Sequence, residues 1–114
     1  IWMIKRITHD KWTEPINLGN VINTSEDELY PFISESNKKL FFSSNGHLGI
    51  GAFDIFHTNI DDNLNTRDVV NLGYPFNSSN DDLSFVSING NKGYLSSNRK
   101  GSSNFDIYFF NNEE

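Results

Sequence analysis

The chain has 114 residues, 36% hydrophobic and 21% charged, with a formal net charge of -6 and no cysteine. That length supports one small domain with a modest core, not two lobes around a cleft. The acidic balance argues against a phosphate-tracking groove and so against nucleic acid as a partner. The lack of cysteine removes disulfides, thiolate catalysis and Cys-ligated metals together. No apolar run approaches the roughly 18–20 residues of a membrane span.

Ile1-Trp2 opens the chain, and residues 1–27 read as the end of one structural unit plus a linker. Asn17, Gly19 and Asn23 supply its turn residues. Residues 28–73 read as a complete unit. Tyr30 to Ser34 is its first β-favouring run and Leu40 to Ser44 its second, joined by the polar turn Glu35-Ser36-Asn37-Lys38. Phe53 to Asn59 is the third run. Asp68 to Leu72 is the fourth, reached through the polar stretch Asp61 to Thr66. Residues 82–114 begin the same series again without completing it, with Asn89-Gly90 as a hairpin signal. No segment carries a helical stripe of useful length.

The second series is a sequence repeat of the first. Asn17-Leu18-Gly19 returns as Asn71-Leu72-Gly73, and Asn23-Thr24-Ser25 as Asn77-Ser78-Ser79, both at an offset of 54. After Tyr30 the offset is 53, which aligns Ser43-Ser44-Asn45 with Ser96-Ser97-Asn98. Past Gly46 it is 52, which aligns Phe53-Asp54-Ile55-Phe56 with Phe105-Asp106-Ile107-Tyr108. Ile1-Trp2 stands where Ile55-Phe56 stands, so the sequence reads as an excerpt of a longer repeat array.

Four short strands per period predict an all-β fold of four-stranded antiparallel β-propeller blades, about two of them from a larger ring. One such sheet cannot bury both its faces, and stacking buries them mutually. The remaining blades are expected from a parent chain; assembly of several copies is the alternative.

Trp12 to Gly19, Ile22-Asn23-Thr24, Glu28 to Ser34, Leu40 to Gly46 and Gly49 to Phe56 together resemble the WD-like, TolB-type β-propeller repeat. The version in envelope proteins of Bacteroidota is the most similar, some of them in type IX secretion or gliding. The second copy departs from the pattern, with Thr66 in place of Trp12 and Ser102-Ser103-Asn104 in place of Ile50-Gly51-Ala52. The resemblance implies a non-catalytic scaffold in the periplasm, associated with the outer membrane, that binds protein partners of the cell envelope. It implies peptidoglycan contact only through an OmpA-like domain outside this chain. The alternative is a propeller enzyme that hydrolyses or eliminates glycans.

The candidate chemistry favours structure over catalysis. Asp54 and Asp106 recur after Ser-Ser-Asn, and a residue that recurs in every unit serves the unit, here by capping a tight loop. The same holds for Ser43, Ser44, Asn45, Ser96, Ser97 and Asn98, which lack the G-x-S-x-G elbow. It also holds for Asn17, Gly19, Asn23, Asn71, Gly73 and Asn77. His9, His47 and His57 do not repeat in sequence. Asp61 to Asn65 resembles the start of a calcium loop but lacks its Gly and Glu, so a solvated turn is expected. No catalytic residue, metal ligand or cofactor site is assigned. Trp2, Trp12, Tyr74 and Phe76 are expected in the core with Phe41, Phe42, Phe53, Phe109 and Phe110. Asp27-Glu28 and Glu113-Glu114 are expected as solvated surface.

Overall fold

The computed structural model describes residues 1–63 and 65–113. Leu64 in the acidic turn and Glu114 at the acidic end lie outside the described residues. The chain is all-β, and no helix occurs among the described residues. Two short antiparallel pairs come first: β1 (Trp2–Met3) with β4 (Ile16–Asn17), and β2 (Arg6–Thr8) with β3 (Lys11–Trp12). A four-stranded antiparallel sheet follows in chain order: β5 (Glu28–Ser34), β6 (Lys39–Ser44), β7 (Asp54–Asn59) and β8 (Val70–Asn71). A three-stranded sheet of β9 (Asp82–Ser87), β10 (Lys92–Ser97) and β11 (Asp106–Asn111) completes the series.

The sequence repeat is also a repeat of register. Trp2 pairs with Asn17 and Met3 with Ile16, as Phe56 pairs with Asn71 and His57 with Val70. Arg6 opposes Trp12 as Ile60 opposes Thr66. Even an unusual backbone feature recurs. Tyr30 in β5 and Ser84 in β9 both take positive φ, 53° and 59°, beside a register shift in their ladders. Left-handed φ costs a non-glycine residue about 1 kcal/mol or more, so this kink in the first strand belongs to the unit and not to a chance residue.

Strand alternation places the core. Side chains along a strand point to opposite faces in turn, and β6 is buried on both. Leu40 and Phe42 join Ile22, Phe56 and Ile60, with Ile1 and Leu18 packed alongside. Phe41, from the other face, joins Ile55, Phe85 and Leu95, with Leu72, Phe76 and Tyr108 alongside. The second cluster is the first one carried forward a unit. Ile1, Leu18, Ile22, Phe42 and Phe56 are succeeded by Ile55, Leu72, Phe76, Leu95 and Tyr108. The chemistry of the contact changes while its positions stay. Phe41, Phe85 and Phe110 form a stack with centroids 4.5 and 5.2 Å apart.

Several expected core residues lie outside it. Trp2 is 61% exposed, Trp12 48% and Tyr74 85%, so only Phe76 of that set is packed. The reason is positional. Trp2 occupies the place of Phe56, whose burial comes from Ile22 and Leu18 of the preceding unit. Trp12 stands on the β2–β3 hairpin and Tyr74 in a loop. Phe109, at 56% exposure, is likewise outside the core. The Asp61 turn is exposed, and the Asp61 carboxylate accepts the amide hydrogens of Asn63 and Asn65 at 2.9 Å each.

Candidate functional site

The recurring polar residues gather where one unit joins the next. Asn71 Oδ1 accepts from the Gly73 amide at 2.7 Å and from Asn77 Nδ2 at 2.9 Å. Asn17, Gly19 and Asn23 repeat both bonds at the same distances. Gly73 and Gly19 take φ of 77° and 94°, the left-handed turn that glycine adopts without Cβ strain. This turn aims the second asparagine back at the preceding strand. Asn77 Oδ1 accepts from the Ile55 amide at 2.7 Å, and its Nδ2 donates to the Ile55 carbonyl at 2.9 Å. Asn23 clamps Ile1 in the same way, accepting from its amino group and donating to its carbonyl at 2.8 Å. One side-chain amide thus satisfies a backbone donor that burial would otherwise leave costly, and it shares the carbonyl with a backbone amide, Leu72 at Ile55 and Leu18 at Ile1. Asn77 and Ile55 are both fully buried.

A carboxylate organises the next turn. Glu28 accepts from the Thr24 amide at 2.8 Å, the Thr24 hydroxyl at 2.7 Å and the Ser44 hydroxyl at 2.8 Å. Asp82 accepts from the Ser78 amide and the Ser97 hydroxyl at 2.7 Å each. Glu28 is therefore a structural acid and not the solvated surface expected of it. Burial pushes its carboxyl up, but the bonds from Thr24 and Ser44 together outweigh burial and hold it below the usual carboxylate range. Ser44 and Ser97 also accept from the amides two residues on, Gly46 at 2.9 Å and Arg99 at 3.1 Å. Asn45 and Asn98 receive the Asp27 and Asp81 amides at 2.9 and 2.8 Å.

The two recurring aspartates differ. Asp54 is buried and accepts from the Ile50 and Gly51 amides and from Asn71 Nδ2. The loop closes tightly over it: a Cβ on Gly51 would fall 2.0 Å from the Asn80 carbonyl oxygen. Asp106 is exposed and, among the described residues, receives the Ser103 amide alone, at 3.1 Å. Ser102-Ser103-Asn104 carries no glycine for such a close wrap.

His47 and Arg99 do the same job, which sequence alignment alone hides. His47 Nε2 donates to the Ile22 carbonyl at 2.7 Å, and its ring lies 5.3 Å from that of Phe56. Arg99 donates to the Phe76 carbonyl at 2.6 Å and lies 5.0 Å over the Tyr108 ring. Phe76 and Tyr108 are the successors of Ile22 and Phe56. Arg99 also pairs with fully buried Asp82 at 2.9 Å. A search for a cationic or imidazole side chain one or two positions after Ser-Ser-Asn would have found both.

What remains unspent is small. Ser43 Oγ is buried with no hydrogen-bond partner among the described residues, while Ser96 is half-buried. A cavity of about 190 Å³ between the two larger sheets is lined by Phe41, His57, Phe76, Phe85 and Phe110. Burial, then the Lys39 charge, holds the His57 imidazole below its usual range. On the surface, the Arg6 guanidinium stacks 4.9 Å over the exposed Trp12 ring. Among the described residues no group of three His, Cys, Asp or Glu side chains converges on a metal position. No helix among them is long and apolar enough to cross a membrane. Comparison with protein-family models, curated proteins and solved structures finds no match to this chain.

Proposed function

We propose that the chain is a non-catalytic scaffold: stacked blades of a β-propeller that present a rigid surface to a protein partner. One observation carries this reading. Asn77, Ser44, Ser97, Glu28 and Asp82 at the unit junctions are occupied by bonds within the chain, whereas large aromatics stand on the surface. Groups that hold their own backbone are poor candidates for attacking a substrate. Exposed Trp12 under Arg6 has the composition of a protein-binding hot spot, where Trp and Arg are enriched. The sequence resemblance adds the setting: the periplasm, at the outer membrane, with envelope or secretion proteins as partners. It also supports the ring closure that two units leave open.

Binding of the purified chain to isolated envelope proteins tests the reading. Trp12→Ala and Arg6→Ala are expected to weaken that binding at least tenfold with the thermal midpoint unchanged. Cleavage of an envelope glycan by the purified chain, lost on replacing an acidic residue without loss of fold, would overturn it in favour of the glycan-cleaving enzyme.

A further inference from the structure

We propose that Asn89 is a self-modification site, where the Gly90 nitrogen attacks the Asn89 side-chain amide and converts it to a carboxylate. Asn89-Gly90 forms the tip of the β9–β10 hairpin, and Ile88 to Asn91 are exposed throughout. The counterpart turn of the complete unit, residues 35–38, is exposed too, so an open tip belongs to the unit. Asn89 Oδ1 accepts from the Asn91 amide at 3.0 Å and from the Lys92 amide at 3.2 Å. The Gly90 amide donates to Ser87 Oγ at 2.7 Å, and that hydroxyl donates to the Lys92 carbonyl at 3.3 Å. Among the described residues Asn89 bonds through Oδ1 alone, so nothing holds Nδ2, the group that must leave. Gly90 takes φ of 84°, and a Cβ there would meet only the Asn37 side chain.

These contacts suit an intramolecular acyl transfer. Nucleophile and electrophile stand on adjacent residues, which removes the entropy of bringing them together. As the Gly90 nitrogen bonds to Asn89 Cγ, its proton passes through Ser87 Oγ to water. Negative charge develops on Oδ1, where the Asn91 and Lys92 amides already point, as in an oxyanion hole. The Cγ–Nδ2 bond then breaks, and Nδ2 takes a proton from water and departs as ammonia. Water opens the resulting cyclic imide, at Cγ to give aspartate or at the main-chain carbonyl to give isoaspartate. Either product gains a negative charge. The chain has a second Asn-Gly pair, Asn45-Gly46, that serves as an internal control. Its glycine amide also donates to a serine, Ser44 Oγ at 2.9 Å. Among the described residues, however, Asn45 Oδ1 accepts one amide, that of Asp27 at 2.9 Å. The Asn45 amide is tied to the Asp27 carbonyl, and a Cβ on Gly46 would fall 2.0 Å from Thr24 Oγ1. Asn45 thus has half the oxyanion donors and a main chain pinned against its neighbours.

The test is prolonged incubation of the purified chain in warm neutral buffer, with peptide mapping by mass spectrometry and enzymatic methylation of isoaspartate as the two readouts. In the folded chain Asn89 is expected to convert at least tenfold faster than Asn45. In concentrated urea, where both pairs lose their contacts, the two are expected to convert at like rates. Ser87→Ala removes the acceptor of the Gly90 proton and is expected to slow Asn89 at least threefold in the folded chain, with its rate in urea unchanged. Equal rates at the two asparagines in the folded chain overturn the proposal. So does a tenfold lead of Asn89 that persists in urea, because the flanking sequence and not the turn would then set it. A folded Ser87→Ala chain that converts Asn89 at the parent rate overturns it as well. Should that variant fail to fold, the comparison of Asn89 with Asn45 in the parent chain decides alone.

Discussion

Neighbouring serines in one strand have opposite duties. Ser44 donates to Glu28 and accepts from Gly46, while the Ser43 hydroxyl is buried with no partner among the described residues. An unpaired buried hydroxyl costs about 1–3 kcal/mol, and a bonded one lost costs a similar amount. Ser43→Ala should therefore leave stability unchanged or raise it by up to about 1 kcal/mol, whereas Ser44→Ala should lower it by about 1–2 kcal/mol in urea titration. Asp54→Ala strips the acceptor from two loop amides and Asn71, and a loss of about 2 kcal/mol is expected. The equivalent change at exposed Asp106 should cost less than half as much in the same titration. Two groups give stability a pH dependence of known sign. His57 and Glu28 both have folded values lowered from their ordinary ones. The unfolded chain then takes the proton first, so each contribution is full above the unfolded value and is lost as pH falls. For His57 the loss begins near pH 6.5 and for Glu28 below about 4.5. His57→Gln should flatten the thermal midpoint between pH 7 and 5 while leaving the steeper fall at lower pH.

At the scale of elements, the strands of both units are legible in the sequence because their runs are apolar, short and bounded by turn residues. Strand β6 is legible as core for the same reason: Leu40-Phe41-Phe42 puts bulk on both faces. The recurring Asn-Leu-Gly and Ser-Ser-Asn are equally visible, although their partners are not, since each bonds a residue far away in the chain. What sequence matching misses is equivalence between unlike residues. Glu28 and Asp82 align at the offset of 54 with only their role hidden, whereas His47 and Arg99 do not align, yet each pair meets the same backbone groups. Trp2 and Phe109 mislead in the opposite sense: they look like core, but they are 61% and 56% exposed. Arg99 gives the element-scale prediction. Arg99→Ala leaves Asp82 buried without its cation, and breaking a buried pair costs about 3 kcal/mol or more. Chemical denaturation of that variant is the check, and a loss under about 1 kcal/mol would show that Ser78 and Ser97 satisfy Asp82 alone.

At the scale of the whole molecule, two aromatic-rich clusters and two asparagine clamps succeed one another along the chain. The stacking buries both faces of the central sheet, which neither neighbour could do alone. Asn77 is the point where this succession is most exposed to test. It is fully buried, and its side chain joins the Gly73 turn to both backbone groups of Ile55, whose carbonyl also accepts from the Leu72 amide at 3.0 Å. The most direct measurement is the urea unfolding of Asn77→Ala, followed by tryptophan fluorescence and far-ultraviolet circular dichroism. The Ile55 amide left unpaired, with its carbonyl still held by the Leu72 amide, predicts a loss of roughly 1–3 kcal/mol, with both signals shifting together. An unfolding midpoint equal to that of the parent chain would contradict the claim that the recurring asparagines hold the units together.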